Sequence, residues 1–308
     1  MEETGRYMEG AFYVISPYED SNYNQAVLEH LYRSTSDGFV CMQIYKPAPC
    51  ISLGRNLEYP DKTSYDVNRR LCGGDEIRFR SSCVVISFIS SRKDCDIRKQ
   101  SAVVSLALKS LGVPCIRNSK NEIYLESGRE ACINLYDISG DICRQMMIIN
   151  VSTMSNANAN LPSAISRYGL DEYLLIEAIE ASFKSLYKAN KKINPDSLDK
   201  KRLNDFYKFF CSDNWIYNKK SNSPYENFSW GKLCIDIEQK DAIIEDVHLY
   251  SNGSAAELLS AIPTSLIGCP YLITAIKNRV LVLPHAEKNL SILRDVLRVF
   301  EQILSKPV

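Results

Sequence analysis

The chain is poor in the residues from which local chemistry is most often built. Its three histidines, His30, His248 and His285, stand far apart, which argues against a histidine-based metal centre. Its eleven cysteines are an odd number with no C-x-x-C pair, and several fall inside apolar runs. That pattern speaks for reduced thiols acting as small buried hydrophobes, and against a disulfide framework or a zinc site. No apolar run is long enough to span a bilayer. There is no excess of charge, since 37 Lys and Arg balance 37 Asp and Glu, so no global field recruits nucleic acid or an anionic membrane. Repeats and low-complexity tracts are missing too. The first twenty residues carry five acids against Arg6 alone, the wrong charge for a transit peptide and too polar for a signal peptide, so the chain reads as cytoplasmic.

What is present fits a soluble globular protein. The 308 residues, 45% hydrophobic and 24% charged, allow one large or two ordinary domains. Apolar spacing predicts a strand at 11–16 and a helix at 22–33, then strands at 39–45 and 51–53 and a buried strand at 84–89. A buried helix at 96–111 ends at Gly112 and Pro114. Short β-rich segments follow to Val151, then a polar loop from 152 to 166, a helix at 171–188 and a basic connector to Lys201. Near the C-terminus, 233–237 and 244–249 read as a hairpin, Ser254 to Glu257 as a capping box, and Leu290, Leu293, Leu297, Phe300 and Leu304 as the apolar side of a last helix. The expectation is an α+β fold: a large domain over 1–222 with mixed β-sheets flanked by helices, and a small α+β accessory domain over 223–308.

One stretch is unusually dense. Arg69 to Phe88, RRLCGGDEIRFRSSCVVISF, joins two arginines to a Gly-Gly corner, two acids, two more arginines and an apolar strand. Gly73 and Gly74 permit a tight turn and close approach to a ligand, so the loop could hold an anion, although Gly-Gly before a strand is more often only a turn.

Taken in order, the segments resemble the lipoate-protein ligase and lipoyltransferase family, particularly its eukaryotic lipoyltransferase branch. Asn24 to Val27 resembles the family's N-x-A-x-E/D helix start, and Pro49 to Asn56 (PCISLGRN) its P-x-x-x-I/L-G-R-N/H-Q loop. Arg69 to Phe88 is similar to R-R-x-S-G-G-G-A/T-V-Y-H-D-x-G-N-x-N, and Asn121 to Asn134 to N-D-I/L-x-V/L-x-G-x-K-I/V-S-G. Trp215 to Lys219 and Phe228 to Gly231 resemble the segments that open the accessory domain. The resemblance implies a biotin/lipoate-ligase-like fold and a lipoyl- or octanoyl-adenylate whose acyl group passes to a lysine of an acceptor domain. Glycine-loop amides would hold the phosphoryl anion, and the motif lysine would stabilise charge on the reacting oxygens.

Carried over residue by residue, the match is partial. Gly54, Arg55, Asn56, Arg69, Arg70, Gly73 and Gly74 agree with the family. Cys72 replaces the motif serine, Asp75 the third glycine, and Phe79-Arg80 the His-Asp pair. Set against the motif with Gly128 at its glycine, the lysine falls on Glu130, its Ser-Gly on Cys132 and Ile133, and the His-His/Gly pair of the next strand on Gln145 and Met146. Two unit charges ~4 Å apart interact by about 4 kcal/mol at an effective dielectric of 20, so Glu130 would repel where lysine attracts. The ligand-binding candidates are therefore Arg55, Arg69, Arg70, Gly73, Gly74 and Arg80. Arg80, at an acidic motif position, is expected to pair with Glu130, at a basic one.

Three readings follow. The first is a catalytically degenerate family member with residual acyl-group or acceptor-domain binding. The second is a working transferase in which an arginine replaces the lysine and the acyl group arrives activated. The third is a nucleotide-binding or scaffold protein with no link to lipoylation. The implied ligand is lipoyl-AMP or lipoate. ATP and magnesium are not expected, because no acidic pair stands out as a magnesium site beyond the ambiguous Asp75 and Glu76. The implied partner is a lipoyl acceptor domain of a 2-oxoacid dehydrogenase subunit or the glycine cleavage carrier protein, met by a monomer that binds neither nucleic acid nor membrane. The resemblance places such proteins in mitochondria. Cys72 and Cys83 read as buried thiols before nucleophiles, and Trp215 and Trp230 as packing residues.

Overall fold

The apolar run after the Gly-Gly loop becomes the most enclosed strand of a large sheet. The computed structural model describes residues 8–60, 63–118, 121–139, 142–152, 165–217, 226–251 and 255–305. In chain order the elements are β1 (Met8–Ile15), α1 (Ser21–Arg33), β2 (Thr35–Tyr45), β3 (Cys50–Leu53), β4 (Val67–Arg69), β5 (Ile77–Phe79), β6 (Cys83–Ser91), α2 (Ile97–Ser110), β7 (Cys115–Arg117) and β8 (Ile123–Leu125). Then come β9 (Glu130–Ser139), β10 (Ile142–Asn150), α3 (Glu172–Tyr187), β11 (Lys191–Lys192), α4 (Lys200–Phe210) and α5 (Asp213–Ile216). The last part holds β12 (Glu226–Phe228), β13 (Gly231–Lys240), β14 (Ile243–Ser251), α6 (Ala256–Leu266), α7 (Ile273–Leu281) and α8 (Leu290–Leu304).

The main sheet runs β11-β1-β2-β6-β10-β9-β14-β13-β12, with β8 and β7 branching from β9. Pairing is parallel from β11 through β1 to β2 and antiparallel elsewhere. Every residue of β6 is buried because successive side chains point to opposite, covered faces. Val84, Ile86 and Phe88 pack with α2 and α3 through Val104, Leu108, Ile179 and Phe183. On the other face Ile89 joins α1, α4 and Trp215, while Cys83 and Val85 pack under a small sheet, β4-β3-β5. A separate core, Trp230 to Phe300, lies between β13–β14 and α6, α7 and α8. Helices α1, α2 and α3 begin where a side chain can answer free amides: Asp20 accepts from the N–H of Asn22 (2.8 Å) and Tyr23 (3.1 Å), Asp96 from that of Lys99 (2.8 Å), and Asp171 from that of Leu174 (2.8 Å).

The α+β architecture is therefore as the sequence indicates, with some differences in detail. The last of the short β-rich segments expected before Val151 are two long strands, β9 and β10, hydrogen-bonded along their length. Part of the 188–201 connector is ordered, supplying edge strand β11 and the start of α4. The boundary at 222/223 and Ser254 of the capping box lie outside the described residues. The hairpin β13–β14 does not stand apart from the larger sheet. His248, Leu249, Tyr250 and Ser251 of β14 pair with Ser139, Ile138, Asp137 and Tyr136 of β9.

That junction is backed by a buried ionic group. Arg144 on β10 donates to Asp137 Oδ2 (3.3 Å) and Glu29 Oε2 (3.2 Å), and Glu29 also holds Arg33 (2.9 Å). Burial pushes the Asp137 carboxyl up against the opposing pull of Arg144, Arg55 and His248. Removing one partner of a buried ion pair costs about 3–5 kcal/mol, because the other charge is left uncompensated. Arg144→Met is therefore expected to lower stability by about that amount. An acid whose folded pKa is raised destabilises the fold above that pKa and ceases to as pH falls through it. Urea denaturation should find the loss largest at neutral pH and reduced in mild acid; a loss independent of pH would contradict the role given to Asp137.

Candidate functional site

The candidate site opens where β9 changes neighbours. Along one edge of β9 the ladder with β8 includes Tyr124↔Glu130 and Ile123↔Cys132, and the ladder with β14 takes up at Tyr136↔Ser251. Residues 133–135 span the gap between the two partners. A pocket of about 300 Å³ lies there, walled by Ile133, Asn134, Leu135 and Tyr136 of β9 and floored by the turn from Gly73 to Ile77. Glu122 and Glu130 close one side, Lys232 and Ser251 of the β13–β14 hairpin the other.

The Gly-Gly corner is built for close contact. A side chain on Gly54 would strike the carbonyl oxygen of Gly74, and Gly74 itself has φ +92° with Leu135 Cδ2 2.8 Å from where its Cβ would stand. Only glycine combines that dihedral with that approach without strain. The two arginines before it hold the corner in shape. Arg69 donates to the carbonyls of Gly54 (3.0 Å), Arg55 (2.9 Å), Leu57 (2.6 Å) and Ile216 (2.9 Å). Arg70 donates to those of Ser52 (2.6 Å), Gly73 (3.0 Å) and Asp75. Both are 1% exposed, so their guanidinium groups serve backbone oxygens that would otherwise lack partners.

The remaining expected residues are dispersed. Arg55 lies 5.9 Å from the ring centre of Tyr250, towards the β9–β14 junction. Arg80 lies beside Cys83, whose N–H donates to its carbonyl (2.9 Å). The expected Arg80–Glu130 pair is not formed; the charged neighbour of Glu130 is Glu122, which directly precedes β8, the strand that pairs with the start of β9. Burial and that like charge both push the Glu130 carboxyl up. Gln145, where the resemblance puts histidine, donates to Ser101 Oγ (3.0 Å) and Asn134 Oδ1 (2.7 Å). Met146 and Phe79 pack with Tyr45, Val85, Leu135 and Ile148 in one core.

The pocket's charge follows from these placements. Asp75, Glu76, Glu122 and Glu130 line it, against Lys232. Lys232 Nζ donates to Asp75, and Arg78 pairs with Glu76 (2.9 Å) from outside the lining. Among the described residues no arginine lines it, and no group of three or more His, Cys, Asp or Glu converges as a metal site. Burial pushes the thiols of Cys72 up to about 12 and Cys83 to about 11, which leaves them protonated and poorly nucleophilic. Trp215 donates to the carbonyl of Arg69 (2.8 Å), and Trp230 to Asp295 (2.8 Å) while stacking on Phe228. Both are packing residues. Glu122, Tyr136, Lys232 and Ser251 were not anticipated. Lys232 directly follows the Phe228–Gly231 segment, but its place beside Asp75 depends on contacts 157 residues apart in sequence.

Residues 219–289 match the model of the bacterial lipoate protein ligase C-terminus. Among solved structures, Plasmodium falciparum LipL1 in complex with lipoate aligns with 94% of this chain and 100% of its own, at TM-score 0.61 and 14% identity. The bipartite lipoate protein ligase of Thermoplasma acidophilum, studied with its E2 lipoyl domain, covers 70% of this chain and 99% of its own, at TM-score 0.56 and 14% identity. Lipoate-protein ligase A bound with ATP covers 69% and 100%, at TM-score 0.53 and 13% identity. Along nearly its whole length the chain therefore has the fold of these ligases, and residues 219–289 carry the sequence pattern of the lipoate protein ligase C-terminus.

Proposed function

We propose that this protein acts in protein lipoylation by binding a lipoyl acceptor domain, without forming or transferring an acyl-adenylate. The carrying observation is the charge of the pocket beside Gly73 and Gly74, four carboxylates against one ammonium. An acyl-adenylate bears a phosphoryl anion and needs a positive site where its mixed anhydride reacts. Here Glu130 and Glu122 face it instead. The adjoining apolar space is occupied by packed side chains of the chain itself, Phe79 and Met146 among them, which leaves no room for an acyl chain in that core. Lipoate is thus a ligand of LipL1, while for this chain the partner of interest is the acceptor domain, as in the Thermoplasma pair. The mitochondrion, by resemblance to the eukaryotic branch, would bring the two together.

The competing reading, a transferase fed with activated acyl groups, needs a cation at the Gly-Gly corner. Arg69 and Arg70 are committed to carbonyls, and the ammonium in the lining belongs to Lys232, which rests on Asp75. Purified protein supplied with lipoyl-adenylate and an acceptor domain is expected to give no transfer above the uncatalysed background, followed by intact-mass measurement of the acceptor. Glu130→Lys restores the motif lysine but not the space, and is expected to stay within about tenfold of background. Family-like turnover by the unaltered chain would reverse this conclusion.

The electrostatic account of Glu130 has its own check. Because its folded pKa is raised, its charge weakens the fold at neutral pH, and the effect fades as pH falls through that pKa. The group is exposed enough for solvent to screen it, so Glu130→Gln should stabilise by less than about 1 kcal/mol at neutral pH and by nothing in acid. Chemical denaturation at the two conditions checks this; destabilisation by the substitution at neutral pH would contradict a repulsive Glu122–Glu130 contact.

A further inference from the structure

All eleven cysteines are free thiols, and nine are buried, which leaves Cys95 and Cys211 within reach of a reagent. Cys211 lies beside Asn22 and Tyr207. Cys95 lies against a second thiol. It follows the end of β6 by a short 3-10 turn, Arg92–Asp94, and its N–H donates to the carbonyl of Arg92 (3.2 Å). The turn carries it back over β10, where Cys143 stands opposite Ser90 of β6 on one side and Ile138 of β9 on the other. There Cys95 packs on the small cluster of Ile97, Tyr136, Ile138 and Cys143, and its thiol is hydrogen-bonded to that of Cys143. One member of the pair is covered and the other open. Cys143 is 3% exposed, while Cys95 lines a groove of about 1460 Å³ between the start of α2 and α6.

The hydrogen bond with Cys95 and burial both push the Cys143 thiol up, so Cys95 is the sulfur that meets a reagent first. We propose that Cys95 and Cys143 form a reversible redox centre, converted to an intramolecular disulfide by a small disulfide such as oxidised glutathione that enters through the groove. Cys95 Sγ loses its proton and attacks one sulfur of the small disulfide, whose S–S bond breaks and releases a thiolate that takes up that proton. Cys143 Sγ then attacks Cys95 Sγ in the mixed disulfide, and the second small thiolate leaves with the Cys143 proton. Two electrons have passed from the pair to the small disulfide, which ends as two thiols. The new bond ties the Arg92–Asp96 wall of the groove to β10, next to Arg144 of the buried ionic group. In a reducing compartment such a bond is a transient signal, not a structural staple. Cys50 and Cys83 also lie near one another, but both are buried. The inference stands whether or not the protein binds an acceptor domain.

The test equilibrates the whole reduced protein against glutathione buffers of rising disulfide content, alkylates the remaining thiols and locates every bridge by peptide mass spectrometry. The expected product is a Cys95–Cys143 bridge with loss of two hydrogens, about 2 Da, reversed by dithiothreitol. Amide hydrogen exchange across residues 92–99 should slow by about tenfold or more in the bridged protein. In Cys143→Ala the second step has no sulfur, so glutathione should stay on Cys95 as a mixed disulfide. In Cys95→Ser neither a bridge nor an adduct should form at Cys143. The proposal is overturned by a pair that stays reduced throughout the series in the unaltered protein, or by a glutathione adduct that remains on Cys95 with no bridge. A bridge between Cys50 and Cys83 in its place overturns it too, as does unchanged exchange across 92–99 in the bridged protein. These readings come from the unaltered chain, so they decide the matter even where a substitution fails to fold.

Discussion

The structure depends on one strand with two partners on the same edge. β9 hydrogen-bonds β8 near its start and β14 near its end, and a sheet edge cannot hold both at one place. The interval between them is a concavity fixed by backbone pairing. Everything assigned to the site is delivered to that interval. The Gly73–Gly74 turn comes from below because Arg69 and Arg70 tie it to β3 through carbonyl oxygens, Glu122 arrives with β8, and Lys232 and Ser251 arrive with the hairpin. A pocket at a change of strand partner is a familiar consequence of sheet topology, as at the switch points of open α/β sheets.

Within this frame the identity of the charged groups decides what the pocket can hold. Where the resemblance expects glycine amides and a lysine around an anion, the pocket is lined by Asp75, Glu76, Glu122 and Glu130 beside Lys232. The reversal needs no rearrangement of the fold, since Glu130 begins β9 and its side chain can change sign without disturbing the ladder. Core positions were altered in the opposite manner. Cys72, Phe79, Cys83 and Met146 stand where the resemblance expects Ser, His, Asn and His or Gly, and all four are buried in one apolar cluster. Where the resemblance expects polar groups, this chain has side chains packed in an apolar core.

Much of the fold was legible because it follows from periodicity. Val84 to Ile89 reads as a buried strand, and α2, α3 and α8 carry stripes that face their cores. The helix α4 carries the same signal, Leu203, Phe206, Tyr207 and Phe210 at helical spacing, yet it follows a lysine-rich start that reads as a connector. The three-residue strands β4 and β5 have no periodicity to show; pairing with β3 alone defines them. At the site, Gly73, Gly74 and Glu130 could be placed from sequence because they belong to short motifs. The arginines could not, since a guanidinium has the same appearance in a sequence whether it meets a phosphate or, as Arg69 does, four carbonyl oxygens. Lys232 could not because its acid lies in another part of the fold.

The junction of the two parts also limits how the site can move. A hinge between the large sheet and its accessory part would have to break four register pairs between β9 and β14. It would also expose Tyr250, which is 1% exposed and paired opposite Asp137. Asp137 in turn is held by Arg144, whose other partner, Glu29, belongs to α1. Opening the junction would therefore uncover a charge group that spans three elements, and buried ionic groups are costly to leave half-satisfied. The wall carrying Lys232 and Ser251 is in consequence part of a fixed surface. A partner that meets this surface gains from its rigidity, because little ordering remains to be done on this side of the interface. What such rigidity cannot do is close over a reacting group, a movement on which many enzymes rely to exclude water. The constraint that shapes the pocket is thus the pairing of β9 with β14 and the ionic group behind it.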